Sequence, residues 1–436
     1  MSKVLLVGSG AREVAIARKI KQSDGLISLF CLGSSINPHI NVLCEKYFVA
    51  PLSENQTIVK TAKKLNIDFA IIGPENPLEN GLVDALEKEG VPCVAPKKDV
   101  ARIETSKSFA RNILDKCSPE KNPKRKEFSS VEGVESFLQE LGGSYVIKYD
   151  GLMGGKGVKV SGEHLFSLVE ALGYCKKIVD MGGGFLVEEK LLGEEFSLMS
   201  FCDGSHCAHM PAVQDHKRAF EGDVGPNTGG MGTYSFPNHS LPFLSEKDIG
   251  DAQKTNERVA KELYRTTGTR FKGFLYGGFM ATKDGVKVVE YNARLGDPEA
   301  MNVLSLLKTD FFDICNHIID GSLKSVDVKF EAHATVCKYA VPNGYPDNPE
   351  KGFAVSIENV DADSLFFAAV KEDENKIIAT GSRTVACVGI DKEVSGAEQK
   401  AEAGISRVVG NVFHRKDIGT AALIQKRIEN MKKVRQ

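Results

Sequence analysis

The apolar positions of the first hundred residues switch between two periods. VLLVG at residues 4–8 is a short continuous apolar run, the pattern of a strand buried on both faces. A glycine turn follows it and leads into a helix from about Ala11. Further strands end at Cys31-Leu32-Gly33, run through FAIIG at 69–73, and recur in VPCVAP at 91–96. Between the last two, Leu78, Leu82, Val83 and Leu86 keep the spacing of one helix, which Gly90 ends. Strand and helix in alternation predict a parallel sheet wrapped by helices.

The pattern then changes. Helical spacing at 106–114 is followed by a proline-containing linker at 119–123, a helix over 131–141, and strands at 145–148 and 185–188. Residues 196–290 mix hairpins with a helix near 251–264. Beyond about Lys324 come strands at 334–341, 377–380 and 384–390, then helices ending in a basic turn at 432–435. No internal repeat and no low-complexity tract interrupts this order. The expected fold class is α/β and α+β in several domains, with a C-terminal region mostly of strands.

A length of 436 residues fits two to four domains of ordinary size. With 42% hydrophobic and 26% charged residues the composition is that of a globular chain. A net charge of −2 gives no general attraction to nucleic acid or anionic membrane. The one basic run, KNPKRK at 121–126, reads as a solvated linker. The apolar residues after Met1 are too few for a secretory signal, and no apolar run has the roughly 18 residues of a membrane span. The ten cysteines are scattered without a CxxC pair, as expected of reduced thiols in the cytoplasm. Cys202, His206, Cys207 and His209 invite a zinc reading, but Asp203-Gly204 marks a tight turn between two strands. His206 and His209 then fall on opposite faces, so a plain hairpin is expected.

Three glycine-rich segments carry candidate chemistry. VGSGARE at 7–13 puts backbone N–H groups at a helix start, where they can hold an anion. A dinucleotide fingerprint would need glycine at position 13, which is Glu13, and an acid after the second strand, which is absent. Phosphate or phosphosugar binding and a purely structural turn remain. IKYDGLMGGKGVKV at 147–160 is a glycine hairpin and not a P-loop, since Gly157 follows Lys156. Lys148 and Lys156 suit phosphate; an ordinary hairpin is the other reading. In VVEYNARLGDPEA at 288–300, Glu290 and Asn292 are two apart on a strand and share a face. Two oxygen donors on one face suit Mg²⁺, and Arg294 has the same parity; a charged strand end is the alternative.

Together these segments resemble the ATP-grasp enzymes, and among them the glycinamide ribonucleotide synthetase (phosphoribosylamine–glycine ligase) family. The resemblance rests on GSGARE near the start, GPENPLENGLVD at 73–84, SKSFA at 106–110 and IKYDGLMGGKGV at 147–158. It continues through VEEKLLGEEFS at 187–197, QDHKRAFEGDVGPNTGGMG at 214–232 and EYNARLGDPEA at 290–300. GYP at 344–346 and DIGTAA at 417–422 extend it nearly end to end. The segment at 214–232 is the most specific.

The resemblance implies a phosphosugar-binding α/β domain over 1–103, an ATP-grasp core over 104–122 and 190–325, a lid over 123–189 and a C-terminal domain over 326–436. It implies that ATP activates glycine as glycyl phosphate, which the amine of 5-phosphoribosylamine attacks, giving glycinamide ribonucleotide, ADP and phosphate. Lys107, Lys148, Gly151, Gly154, Gly155, Lys156 and Gly157 are then expected at the ATP phosphates. Glu188 and the backbone near Leu191 are expected at adenine and Glu195 at the ribose. Glu290 and Asn292 should bind Mg²⁺ or Mn²⁺; at the place of a further acid common in ATP-grasp enzymes the chain has Tyr276-Gly277-Gly278. Asp215, Lys217 and Arg294 are the expected catalytic residues, with Asp297 beside Arg294. Gly8, Gly10, Glu13, Gly73, Pro74, Glu75 and Arg218 should line the substrate pocket. Asn227, Thr228, Gly229 and Gly230 should offer bare backbone to substrates and acyl phosphate. His216 is expected to be structural.

The chain departs from the family pattern at Val14, where a histidine is usual, in the turn at 33–38, and in FFAAV at 366–370. A monomer is expected, with transient contact to neighbouring pathway enzymes allowed.

Overall fold

The computed structural model describes residues 2–153 and 157–436. The glycine-loop residues Gly154, Gly155 and Lys156 therefore lie outside the described residues.

The N-terminal region is a five-stranded parallel sheet: β1 (Ser2–Val7), β2 (Ile27–Gly33), β3 (Lys46–Val49), β4 (Phe69–Ile72) and β5 (Cys93–Val94). Its order is β3-β2-β1-β4-β5, with β1 paired in parallel to both β2 and β4. Chain order reverses between β1 and β4, and the crevice beyond their C-terminal ends is where open α/β sheets take ligands. The single helix expected across residues 78–86 is two, Glu75–Glu79 and Leu82–Lys88. Gly81 between them adopts φ of 75°, the left-handed region that breaks a helix and favours glycine.

A small antiparallel sheet, Arg125–Phe128, Phe185–Glu189, Tyr145–Tyr149 and Val158–Val160 in that spatial order, has its own core around Phe128, Phe137, Ile147, Phe185 and Val187. The basic run at 121–126 is thus not a solvated linker. Arg125 and Lys126 begin a strand paired to Glu188 and Val187, Arg125 is ion-paired to Asp115 at 2.8 Å, and Lys121 reaches Asp251 at 2.8 Å. Backbone pairing fixed the run where charge alone suggested solvent.

The central sheet is built on the antiparallel pair Glu194–Asp203 and Lys272–Thr282, with Gly285–Asn292 beside the latter and Cys207–His209 beside the former. Cys202 lies opposite Cys207 in the expected hairpin. His206 turns to Asp203, and His209 turns to Ser200 and Glu257. The helix Glu246–Thr267, capped by Ser245, covers this sheet and is longer than the expected 251–264.

In the C-terminal region, Ala334–Pro342 pairs with Val385–Asp391 on one side and with Gly232–Ser235 on the other. The residue 214–232 segment is therefore stitched into the C-terminal sheet. One continuous apolar core runs from Val4 to Met431. No helix among the described residues is long and apolar enough to cross a membrane.

Candidate active site

A cleft of about 1380 Å³ lies where the four parts meet, and its walls carry residues from Arg12 to Val434. Its geometry is built from three constellations.

The first joins the small antiparallel sheet to the helix Lys107–Cys117 and the central sheet. Lys148 and Glu188 sit on adjacent strands, paired across to Leu186 and Val146, and share a face. Arg111, four residues after Lys107 on the helix Lys107–Cys117, grips Glu188 with both arms, Nε to Oε1 at 2.6 Å and Nη2 to Oε2 at 2.7 Å. Lys148 Nζ is 2.8 Å from Glu188 Oε2 and donates to Val289 O at 2.9 Å. Burial raises the Glu188 pKa, but Arg111 and Lys148 outweigh it and hold the carboxylate at about 2. Burial lowers Lys148 below the usual lysine value against the pull of Glu188. Both Glu188 oxygens are thus engaged by cations. At the start of the same helix Asp150 accepts from the N–H groups of Lys107 at 2.6 Å and Ser108 at 3.2 Å, and Lys107 Nζ donates to Gly151 O at 2.9 Å. The loop entered at Asp150 and Gly151 is thereby tied to Lys107. Gly157 packs against Met153, and Leu191 lines the cleft beside Glu188.

The second constellation is the expected metal ledge. Glu290 and Asn292 are on the strand Gly285–Asn292, with Gly278 directly opposite Glu290 and Tyr276 opposite Asn292. Burial works against the Glu290 charge, yet Lys217, then Lys148, Lys107 and Arg294, hold it down to about 2. Lys217 Nζ lies 2.5 Å from Glu195 Oε1 and 3.6 Å from Glu290 Oε1, so one ammonium links the two carboxylates. The orientation of the Asn292 amide that satisfies its neighbours points nitrogen at Glu104 Oε1 and Tyr291 O, both 3.2 Å away. Its oxygen is then the atom left for a cation. Glu104, absent from the sequence expectation, also accepts from Ala293 N–H at 2.8 Å and pairs with Arg294 Nη2 at 3.0 Å. Arg294 is further held by Glu75 at 3.7 Å.

The third constellation is the residue 214–232 segment with its neighbours. Burial pushes the Asp215 carboxyl well above the usual carboxylate range, and Glu299 adds to this against Lys217. Glu299, another acid not anticipated, accepts from Tyr276 Oη at 2.9 Å. His216 is 1% exposed, and Nδ1 lies 3.2 Å from Gly232 O. Burial, with Arg427 and Arg415 nearby, lowers its pKa to about 3, so it is a neutral structural imidazole. Arg218 is ion-paired to Glu163, which follows the small sheet's strand Val158–Val160, and donates to Gly225 O at 2.8 Å.

The expectation of bare backbone at 227–230 needs correction. Thr228 N–H donates to Lys217 O at 2.7 Å, Gly229 N–H to Tyr345 Oη at 3.2 Å, Gly230 N–H to Thr228 Oγ1 at 3.0 Å, and Met231 N–H to His216 O at 2.8 Å. The glycines serve close packing. A Cβ on Gly230, at φ of 110°, would lie 2.7 Å from both Asp215 Oδ1 and Pro298 Cδ. Asn227 stays half-buried on the cleft wall.

At the β1–β4 crevice, Glu13 is 2% exposed beneath the two glycine turns. It accepts from Gly10 N–H at 2.6 Å and from Arg12 Nε at 2.7 Å, and a Cβ on Gly8 would lie 2.7 Å from its Cγ. Glu13 supports the turn from below; Arg12, Pro74 and Glu75 face the cleft. The two departing segments touch each other. Asn37 Nδ2 donates to Ser9 O at 2.9 Å and to Phe367 O at 2.8 Å, and the His39 and Phe367 rings are 4.0 Å apart. A turn at 33–38 and the segment at 366–370 thus support the Ser9 loop jointly. Val14 is fully buried in the core, where no polar role is open to it.

Comparison with known proteins agrees with this arrangement. Residues 2–104, 105–300 and 335–421 match the family models for the N domain, the ATP-grasp (A) domain and the C domain of phosphoribosylglycinamide synthetase. The phosphoribosylamine–glycine ligase of Methanosarcina barkeri is 46% identical over 433 residues, covering 99% of this chain and 100% of the relative. That of Methanocaldococcus jannaschii is 46% identical over 445 residues, covering 100% of both. The crystal structure of the Thermotoga maritima phosphoribosylamine–glycine ligase superposes with a TM-score of 0.81 at 27% identity, covering 95% of this chain and 99% of that one. With all three domain models matched in chain order and full-length relatives at 46% identity, the chain belongs to the phosphoribosylglycinamide synthetase family, the phosphoribosylamine–glycine ligases of purine biosynthesis.

Proposed function

We propose that this cleft joins glycine to 5-phosphoribosylamine at the expense of ATP, with the nucleotide held between lid and core and the phosphosugar at the β1–β4 crevice. The observation that carries the assignment is the contact of Lys217 with both Glu195 and Glu290, because it joins the substrate segment to the cation ledge. Three anionic reactants must be brought together, and Lys107, Lys148, Lys217, Arg12 and Arg294 supply positive charge along one wall. The glycyl-loop residues Gly154, Gly155 and Lys156 are proposed to cover the phosphates with Gly151 and Gly157.

Glu290 and the Asn292 oxygen fit a divalent ion. They are hard oxygen donors, one kept ionised by surrounding cations and the other oriented by Glu104. Mg²⁺ is the proposed ion, Mn²⁺ an acceptable substitute, and its role when bound is to neutralise the triphosphate oxygens. Glu188 acts on the nucleotide through Lys148, and the backbone at Leu191 is left as the adenine contact. Arg294, braced by Glu104 and Glu75, faces the charge that grows as the γ-phosphoryl passes to the glycine carboxylate. Asp215, Arg218, Asn227, Thr228 and Asp297 border the acyl phosphate and the attacking amine, while Gly8, Gly10, Gly73, Pro74 and Glu75 border the sugar phosphate. A monomer is the state we propose.

The test is ADP release by purified protein. It should require glycine and 5-phosphoribosylamine together and should be lost in Glu290→Ala. Release with another amino acid in place of glycine, or unchanged release in that variant, would overturn the assignment.

A further inference from the structure

Arg383 lies in the loop between the strands Lys376–Ala379 and Val385–Asp391, outside every motif described above. Its side chain is 15% exposed. Nη1 donates to Gly229 O at 2.6 Å and Asp297 O at 2.7 Å, with Gly230 O at 3.3 Å as a weaker third acceptor. Nη2 lies 3.4 Å from Asp297 Oδ2. The guanidinium stacks over the Tyr339 ring at 4.7 Å, and Tyr339 Oη donates to Asp297 Oδ1 at 2.7 Å. Tyr345 Oη receives the Gly229 N–H at 3.2 Å. Three side chains of the C-terminal region therefore grip two loops of the core. A Cβ on Gly229 would lie 3.2 Å from the Arg383 Cζ, so glycine there makes room for the guanidinium.

We propose that Arg383 is a positioning residue for the ligation: it fixes the spacing between the turn at 227–230 and the turn at 295–298, so that Asp215, Arg294 and Asp297 present their groups in register. The inference rests on the ligase reading of the cleft. A guanidinium is required, because Nη1 reaches carbonyls on both loops while Nη2 faces Asp297 Oδ2 and the flat group lies over the Tyr339 ring. A lysine offers one point charge at the end of a flexible stem and cannot keep the carbonyls, the carboxylate and the stacked ring together. The phosphates and adenine are held elsewhere, by Lys107, Lys148 and Leu191, so the clamp should act on turnover and leave nucleotide affinity alone.

The experiment compares the full chain with Arg383→Ala, Arg383→Lys and Tyr345→Phe. Hydrogen–deuterium exchange is read at 227–232 and 295–298, affinity for a non-hydrolysable ATP analogue is read by calorimetry, and kcat and KM are read for glycine. In Arg383→Ala both loops should exchange about 10-fold faster. Turnover should fall about 100-fold, the scale of a 1 Å misplacement, with analogue affinity within about 2-fold. Methylguanidinium added to Arg383→Ala should restore turnover about 10-fold, while Arg383→Lys should remain as slow as Arg383→Ala. Should Arg383→Ala fail to fold, Tyr345→Phe decides: faster exchange at Gly229 with kcat down about 5-fold supports the clamp. Unchanged exchange and unchanged kcat in the folded variants overturn it. Absence of ligation by the unmodified chain would remove the ligase reading alone, and the exchange measurements would still decide whether the clamp exists.

Discussion

The ammonium of Lys217 lies 3.6 Å from the carboxylate of Glu290, with Glu195 closer still at 2.5 Å. A cation from the most family-specific segment thus rests beside the ledge proposed for the metal. Removing it should separate two properties. Lys217→Met should bind Mn²⁺ as tightly as the unmodified chain or more tightly, since a competing positive charge has gone, while kcat/KM falls about 100-fold. Titration followed by the electron paramagnetic resonance of free Mn²⁺ checks the first and steady-state kinetics the second. Parallel loss of both would place Lys217 in support of the ledge only.

The Arg111–Glu188 pair makes a stability prediction. Arg111→Met leaves a buried carboxylate with Lys148 as its remaining cation, and should cost roughly 3–5 kcal/mol in thermal or denaturant unfolding. Arg111→Met combined with Glu188→Leu should recover only part of that loss, because the buried carboxylate has gone but the buried Lys148 is left without its anion. Ligase activity should not return with stability, since Lys148 then lacks its partner.

Acid stability follows from the same pair. The pKa of Glu188 is depressed in the folded chain to about 2. Its contribution is therefore present above the ordinary glutamate pKa and is lost as pH falls through about 2. Replacing Glu188 and Arg111 together by apolar residues should flatten the stability profile below about pH 4.5, measured by denaturant unfolding at each pH.

His216 gives a profile in a different window. Its folded pKa is lowered to about 3, so the unfolded chain binds its proton first as pH falls. The contribution is present above the ordinary histidine pKa of about 6.5 and declines between there and about pH 3. His216→Gln should be less sensitive to pH in that window and should keep kcat within about 10-fold, as expected of a group that exchanges no proton with substrate. Loss of a kcat inflection near neutrality in this variant would reassign His216 as a base.

Gly73→Ala tests the crevice. The added methyl would overlap Glu13 Oε1 and lie 2.6 Å from its Cδ. Glu13 can yield only by releasing Gly10 N–H and Arg12. The variant should lose roughly 1–3 kcal/mol of stability, measured by denaturant unfolding, and its KM for phosphoribosylamine should rise with little change for ATP.

Much of this was legible in the chain itself. The strand parity that set Glu290 and Asn292 on one face survives in the structure, as do the glycine turn after β1 and the hairpin at Asp203-Gly204. Local pattern is enough for these, since each depends on residues close in sequence. Arg111, Glu104, Glu299 and Arg383 were not legible, because their roles are defined by partners 77, 189, 23 and 154 residues away. The spacing from Lys107 to Arg111, one helical turn, was the one local sign available for the first. Gly229 and Gly230 were read as bare backbone, whereas the fold uses their N–H groups internally and their missing side chains for close approach.

The central claim is that glycine's carboxylate attacks the γ-phosphoryl of ATP within this cleft. Glycine labelled with ¹⁸O in both carboxylate oxygens tests it most directly, with the released phosphate analysed by mass spectrometry. The account predicts one ¹⁸O in each phosphate formed during ligation with 5-phosphoribosylamine. Phosphate free of label would show that the carboxylate was never phosphorylated, and would contradict it.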